Sequence, residues 1–128
     1  MADGDGALFA KLLDGFTSLV GVDVSQETFH LASLHEGRRL GQSEPTLEAA
    51  VARVDSILGQ RTAFALDGHR ASATVDGSTL LADGQRVQHS IVLGLFEGVL
   101  EAKTGRRFKG RILHCGVAGA RLEFEAAG

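Results

Sequence analysis

The sequence of 128 residues contains no tryptophan, no tyrosine, one cysteine and one proline. A single cysteine cannot form an internal disulfide bond, so we expect a reducing compartment, the cytoplasm. No apolar run approaches the roughly 20 residues of a membrane-spanning helix. The first five residues include two aspartates and no basic residue, whereas a signal peptide begins with a basic segment. The absences together predict a cytoplasmic protein without a membrane span.

Motifs that carry chemistry are also scarce. There is no P-loop, no dinucleotide-binding fingerprint and no nucleophile elbow. None of the five histidines is paired at the i, i+4 spacing of a helical zinc motif, and His114 and Cys115, as neighbours in a strand, should point to opposite faces. The net charge of −3 argues against a nucleic-acid binder. We therefore expect no enzymatic activity, no cofactor, no metal site and no nucleic-acid partner.

What is present is the composition of one soluble domain covering residues 1–128. The chain is 44% hydrophobic and 23% charged, which is ordinary for a globular protein. A chain of this length buries roughly two thirds of its unfolded surface. Residues 1–6 should be loose, since chain ends without apolar anchors are poorly ordered.

The segment from Val87 to Thr104 is the longest apolar helix in the sequence. On a helical wheel its apolar residues occupy an arc of about 200°, and Ser90, Glu97, Glu101 and Thr104 take the remainder. Replacing Glu97 with alanine should accordingly change stability by less than about 0.5 kcal/mol. An arc this wide needs cover on two sides, from a sheet and from other helices or a second chain.

Two glycines, Gly94 and Gly98, lie four residues apart on one edge of that arc. Each costs about 1 kcal/mol relative to alanine in a helix interior, so a backbone or a ligand should approach closely there. Tight packing within the monomer, a dimer seam and a ligand contact are all compatible with this pattern.

After Gly105 the hydrophobic period changes from 3.6 to 2 and predicts a hairpin. In the first strand Phe108, Gly110, Ile112 and His114 should share one face. The other faces of the two strands should bring opposite charges together in cross-strand pairs, namely Lys109 and Arg111 with Glu123 and Glu125.

The remaining patterns complete an α/β (α+β) fold, with an antiparallel sheet of about four strands packed against a helical layer. Helices are predicted over 7–20 and from Glu44-Pro45 to residue 58, with Gly59 as the stop. Strands are predicted over 61–66 and 70–75, with a further short strand over 78–82. From its own residues, the segment 24–41 is compatible with a helix or a hairpin.

The stretch LGLFEGVLEAKTGRRFKGRILHCGVAGARLEFE resembles the C-terminal half of the vinyl-4-reductase-type (4-vinyl reductase) small-molecule-binding domain. That domain is related to the Bet3-like subunits of the TRAPP vesicle-tethering particle. The resemblance implies three helices, a hairpin, a long helix and a second hairpin, and makes 24–41 a helix with Gly37 and Gly41 near its end. Many family members bind metal with a second cysteine on the last strand. Here Arg121-Leu122-Glu123 stands in that region, so the metal function is not carried over.

In the resembling family a ligand chamber lies between the long helix and the sheet. An acyl chain, a terpenoid or an aromatic ring would suit an apolar chamber, and an ordinary solid core is the alternative. The residues that would line it here are Leu12, Phe16, Phe64, Val92, Phe96, Val99 and Ile112.

The resemblance implies a non-enzymatic regulatory or sensor module that binds a hydrophobic small molecule or acyl chain and acts on a protein partner. The wide apolar arc of the long helix predicts that the module is a homodimer. The alternative is a ligand-free dimeric scaffold similar to TRAPP subunits or to roadblock-type regulators of GTPases.

Overall fold

The computed structural model describes residues 2–82, 86–116 and 119–127. Five helices and four strands follow one another along this part of the chain. The helices are α1 (Ala2–Val20), α2 (Val22–Ser43), α3 (Leu47–Leu58), α4 (Thr79–Ala82) and α5 (Arg86–Thr104). The strands are β1 (Arg61–Asp67), β2 (Arg70–Asp76), β3 (Phe108–Gly116) and β4 (Gly119–Ala126). None of these helices is both long enough and apolar enough to cross a lipid bilayer.

The four strands form one antiparallel sheet in the order β1-β2-β4-β3, so the two hairpins meet where β2 pairs with β4. The inward residues of the two central strands are buried: Ala71, Ala73, Val75, Ala120, Leu122 and Phe124. On the outer face Lys109 lies opposite Glu125 and Arg111 opposite Glu123, with Arg111 Nη2 2.9 Å from Glu123 Oε1. The predicted fold class and the predicted charge pairs are confirmed.

Strand β3 departs from the predicted alternation at its far end. Its pairing with β4 shifts between Ile112 and His114, which is a β-bulge. One extra residue reverses the side-chain alternation beyond it, so His114 is exposed and Cys115 packs against the core. The prediction that His114 shares the inward face with Phe108 and Ile112 is therefore wrong.

Helix α5 lies between the sheet and α2, and this supplies its cover on two sides. Gly37 and Gly41 of α2 lie against the stretch 95–102 of α5, and Gly94 and Gly98 of α5 lie against the stretch 30–38 of α2. A β-carbon on Gly94 would lie 2.8 Å from the carbonyl oxygen of His30, and one on Gly98 would lie 2.6 Å from the backbone nitrogen of Arg38. Segment 24–41 is thus part of a helix, and tight packing within the monomer explains the glycines.

Two predicted helix starts differ from the observed ones. Helix α1 begins at Ala2, within the residues expected to be loose. Helix α3 begins at Leu47 rather than at Pro45, because the Thr46 hydroxyl accepts a hydrogen bond of 3.1 Å from the Ala49 N–H and caps the helix.

The predicted strand over 78–82 is instead the short helix α4. The Ser78 hydroxyl accepts a hydrogen bond of 3.3 Å from the Leu81 N–H, which favours a helical turn. The stops at Gly59 and Gly105 are confirmed, with φ of 66° and 74°. Parts of two predicted turns, 83–84 and 117–118, lie outside the described residues.

Candidate functional site

Five of the seven predicted chamber residues meet between α5 and the sheet. Val92, Phe96 and Val99 are fully buried, and Phe64 and Ile112 pack against the same core. The rings of Phe64, Phe96 and Phe124 have centroids 5.7 to 6.1 Å apart. These separations are direct aromatic contacts, so the rings fill the space around Phe96.

The other two, Leu12 and Phe16, are not brought to that core. Helix α1 packs on α2, with Leu13 buried at 3% exposure, and Leu12 beside it turns away and is 66% exposed. The Phe16 ring contacts Phe29 of α2 edge-on, with centroids 5.4 Å apart. Apolar residues cover a wide arc of α1, so its sequence does not say which of them faces the protein.

A groove of about 700 Å³ runs between α2, α5 and β3. Its length follows α2 from Asp23 to Arg38, a distance of about 22 Å at 1.5 Å per residue. The apolar part of the lining is formed by Leu31, Leu34, Leu93 and Phe108. Concave sites with apolar walls and a few convergent polar groups are the usual places for small-molecule binding.

Glu97 forms the polar centre of this groove. It is only 5% exposed, and its carboxylate has two partners on different elements. Oε1 lies 2.6 Å from His30 Nε2 on α2, and Oε2 accepts a 2.8 Å hydrogen bond from the Gly110 N–H on β3. An ionised carboxylate only accepts hydrogen bonds, so His30 Nε2 is the donor. Glu97 therefore links α2, α5 and the edge strand β3 through one side chain.

The sequence placed Glu97 on an exposed polar face, and that placement is wrong; Ser90 on the same predicted face is also buried. The reason is that α2 and β3 cover the side of α5 that the helical wheel left to solvent. One sequence signal was available, namely a glycine in the inward register of a strand. A β-carbon at Gly110 would press against the Phe124 ring and Leu93.

Further charges lie along the groove toward its two ends. Arg38 Nε donates to Glu101 Oε2 at 3.0 Å, and Arg86 Nη2 lies 3.2 Å from Asp23 Oδ1. On the solvent side of α2, the hydrogen bond from Arg39 holds the pKa of the Glu36 carboxyl below its usual range. That pair is outside the groove.

Within the described residues, no three His, Cys, Asp or Glu side chains lie close enough together to hold a metal ion. Cys115, the single thiol, is half-buried and packs against the core. His30, which the sequence did not single out, is the histidine that lines the groove.

Comparison with protein-family models gave no match, and no curated protein matches the chain. A match exists among solved structures. The chain is similar to the phenol-responsive sensory domain of the transcription activator PoxR, a crystal structure with phenol. The TM-score is 0.71 at 16% sequence identity, over 94% of this chain and 73% of that one. At this identity the likeness establishes a shared fold; the vinyl-4-reductase and Bet3-like resemblance stays a prediction.

Proposed function

We propose that this protein is a non-enzymatic sensor module that binds a small hydrophobic molecule in the groove between α2, α5 and β3. It transmits the bound state through a homodimer to a protein partner. The observation that carries the proposal is the buried Glu97, held by His30 and Gly110 in a groove whose apolar lining is Leu31, Leu34, Leu93 and Phe108. The fold shared with a phenol-responsive sensory domain supports it.

The chemistry of the groove suggests which ligands fit. In the neutral form of the His30 ring that donates from Nε2 to Glu97, the Nδ1 atom is a hydrogen-bond acceptor. No described side chain or backbone group donates to that atom. A ring or short chain could lie against Leu31, Leu34 and Leu93 and direct a hydroxyl at Nδ1. Phenol, present in the PoxR structure, is one molecule of this class.

Binding at His30 would also reach the rest of the fold. A ligand shifts a conformational equilibrium only when it binds one state better than the other. A hydroxyl that reorients His30 changes the contact with Glu97, and Glu97 holds the edge strand β3 through Gly110. The three elements therefore supply a route from the ligand to the protein surface.

Ligand binding is tested by thermal unfolding in the presence of phenol, anisole and toluene. Phenol should raise the melting temperature, because a ligand that binds only the folded state adds about 2.7 kcal/mol at a hundredfold excess over its dissociation constant. Anisole and toluene have similar rings but cannot donate a hydrogen bond, so their affinity should be about tenfold lower, for a lost bond of about 1.4 kcal/mol.

The matched variants are His30→Phe and His35→Phe, both on α2. His30 lines the groove, whereas His35 is exposed and outside it. His30→Phe should remove the preference for phenol over anisole, because it removes the acceptor nitrogen, and His35→Phe should preserve it. No melting shift across a broad panel of apolar ligands, together with no bound molecule in denaturing mass spectrometry, contradicts the proposal.

The interior site predicted from the sequence stays a prediction, and the same titration tests it. A ligand among Phe64, Val92 and Phe96 would be insensitive to His30→Phe but sensitive to Phe64→Leu, since Phe64 is the half-buried member of the three-ring cluster. That pattern of results would locate the ligand-binding site in the core and not in the groove.

A ligand-free dimeric scaffold is the second candidate. The direct contacts among the three core rings favour it, because an already packed core needs no ligand. A dimer that forms normally but binds nothing in the titration would establish this function instead.

A further inference from the structure

Helix α1 presents a row of leucines to solvent. Leu8, Leu12 and Leu19 are 58%, 66% and 87% exposed, and Gly15 lies in the same row. The opposite side of the helix attaches it to α2: Leu13 is buried, and the Thr17 hydroxyl is 2.8 Å from that of Ser25. We refer to Leu8, Leu12, Gly15 and Leu19 as the α1 stripe. Contiguous exposed apolar surface of this kind usually marks an interaction site.

The spacing within the α1 stripe reads the same in both directions, with steps of four, three and four residues. If a second copy of α1 lies antiparallel, with the twofold axis midway between positions 13 and 14, Leu8 meets Leu19 of the second copy. Leu12 then meets Gly15 of the second copy. A β-carbon at Gly15 would have no atom of its own chain within 4 Å, so the chain itself leaves room there for a leucine.

From this self-complementarity we infer that the α1 stripe is the contact surface of a twofold homodimer with antiparallel α1 helices. An isologous contact requires a surface to match itself, and the symmetric spacing meets that requirement. Charge also permits it, since exposed Lys11 on the flank of the stripe would lie near Ser18 of the second copy and away from its own counterpart. The inference rests on the homodimer part of the proposed function and names its surface.

The long helix α5 is not needed for this contact. Its wide apolar arc first suggested a dimer from the sequence, but α2 and the sheet already cover that arc within one chain. The α1 stripe, in contrast, has no cover among the described residues. A dimer would therefore form without opening the packed core.

The test is sedimentation velocity over a concentration series with Leu12→Arg and Ile57→Arg. Leu12 and Ile57 are both aliphatic residues on helices, and they are 66% and 57% exposed, so neither substitution should disturb the fold. Leu12→Arg should raise the dimer dissociation constant by roughly 100-fold, because two charges would be buried at the twofold axis. Ile57→Arg, on α3, should leave it unchanged.

Orientation is tested by cross-linking in a Cys115→Ser background. Chains carrying Leu12→Cys and chains carrying Gly15→Cys should cross-link more efficiently when mixed than either does alone, because the antiparallel contact places 12 beside 15 of the other copy. Preferential cross-linking of like with like overturns the antiparallel arrangement. A wild-type chain that is monomeric at about 100 µM, or equal effects of Leu12→Arg and Ile57→Arg, overturns the surface itself.

Failure of the surface and failure of ligand sensing give different results. Leu12→Arg lies outside the groove, so it should retain the phenol-induced rise in melting temperature if the groove binds ligand. If Leu12→Arg dissociates the dimer but phenol does not change the melting temperature of the wild type, the α1 surface is confirmed and the ligand-binding proposal is contradicted.

Discussion

Replacing Gly98 with leucine is expected to unfold the protein at room temperature. Gly98 is fully enclosed at the contact of α5 with α2, where even a β-carbon would lie 2.6 Å from the Arg38 nitrogen and 2.8 Å from the Gly37 carbonyl carbon. The neighbouring atoms belong to a backbone and cannot move aside as a flexible side chain would. The two helices must separate, and the contact between them is the most extensive in the molecule.

Gly98→Ala should destabilise the same helix contact, but less than Gly98→Leu does. Alanine gains about 1 kcal/mol in helix propensity, but overpacking a tight contact costs typically 1–3 kcal/mol and more where backbone is in the way. We expect a net loss of about 2 kcal/mol in the free energy of unfolding, measured by urea denaturation.

The control is Ser56→Ala on the exposed side of α3. It also introduces alanine into a helix but removes an atom instead of adding one, so stability should stay within about 0.5 kcal/mol of wild type. If Gly98→Ala were as stable as Ser56→Ala, the close approach of α2 and α5 would be wrong.

Replacing Glu97 with alanine should lower the free energy of unfolding by about 3 kcal/mol, in contrast to the small effect that the sequence predicts. The change removes a carboxylate that is 5% exposed, and it leaves the partly buried Gly110 N–H and the His30 ring, whose side chain is 35% exposed, without their partner. A donor left unsatisfied away from water costs about 1–3 kcal/mol. Exchange of the Gly110 amide hydrogen should accelerate as well, because its acceptor is gone.

Glu101→Ala is the matched control, one helical turn further along α5. Its partner is Arg38, and the two side chains are 25% and 35% exposed, so removing the pair should cost less than about 1 kcal/mol. Glu97→Gln separates shape from charge, since its amide oxygen can still accept the hydrogen bond from Gly110. Equal stability of the alanine variants at 97 and 101 would contradict the central role of Glu97.

Particular residues show how much of the structure can be predicted from the sequence. The glycines Gly94 and Gly98 predicted a close approach, and the alternation after Gly105 predicted a hairpin with charge pairs on its outer face, because such patterns record local geometry. The α1 helix was also predicted, but not which of Leu12 and Leu13 faces the protein. The choice depends on where α2 lies, and the apolar arc of α1 is compatible with several positions.

For the same reason, most of the candidate site could not be predicted from the sequence. His30 and Glu97 are 67 residues apart, and Gly110 joins them from a third element. Nothing in the spacing of these residues along the chain brings them together; the glycine contact between α2 and α5, and the return of β3 along α5, do so.

The sequence by itself determined the types of most elements, the long buried helix, the cross-strand charge pairs of the second hairpin and the absence of known catalytic motifs. These follow from periodicity, turn chemistry and composition, which act over a few residues. Tertiary structure alone decided that Glu97 is buried, that Cys115 turns inward after the bulge, and that Leu12 of α1 faces outward while Leu13 is buried. Each depends on which surfaces distant segments bury against one another, and the free energy of that burial is not carried by any single stretch of the chain.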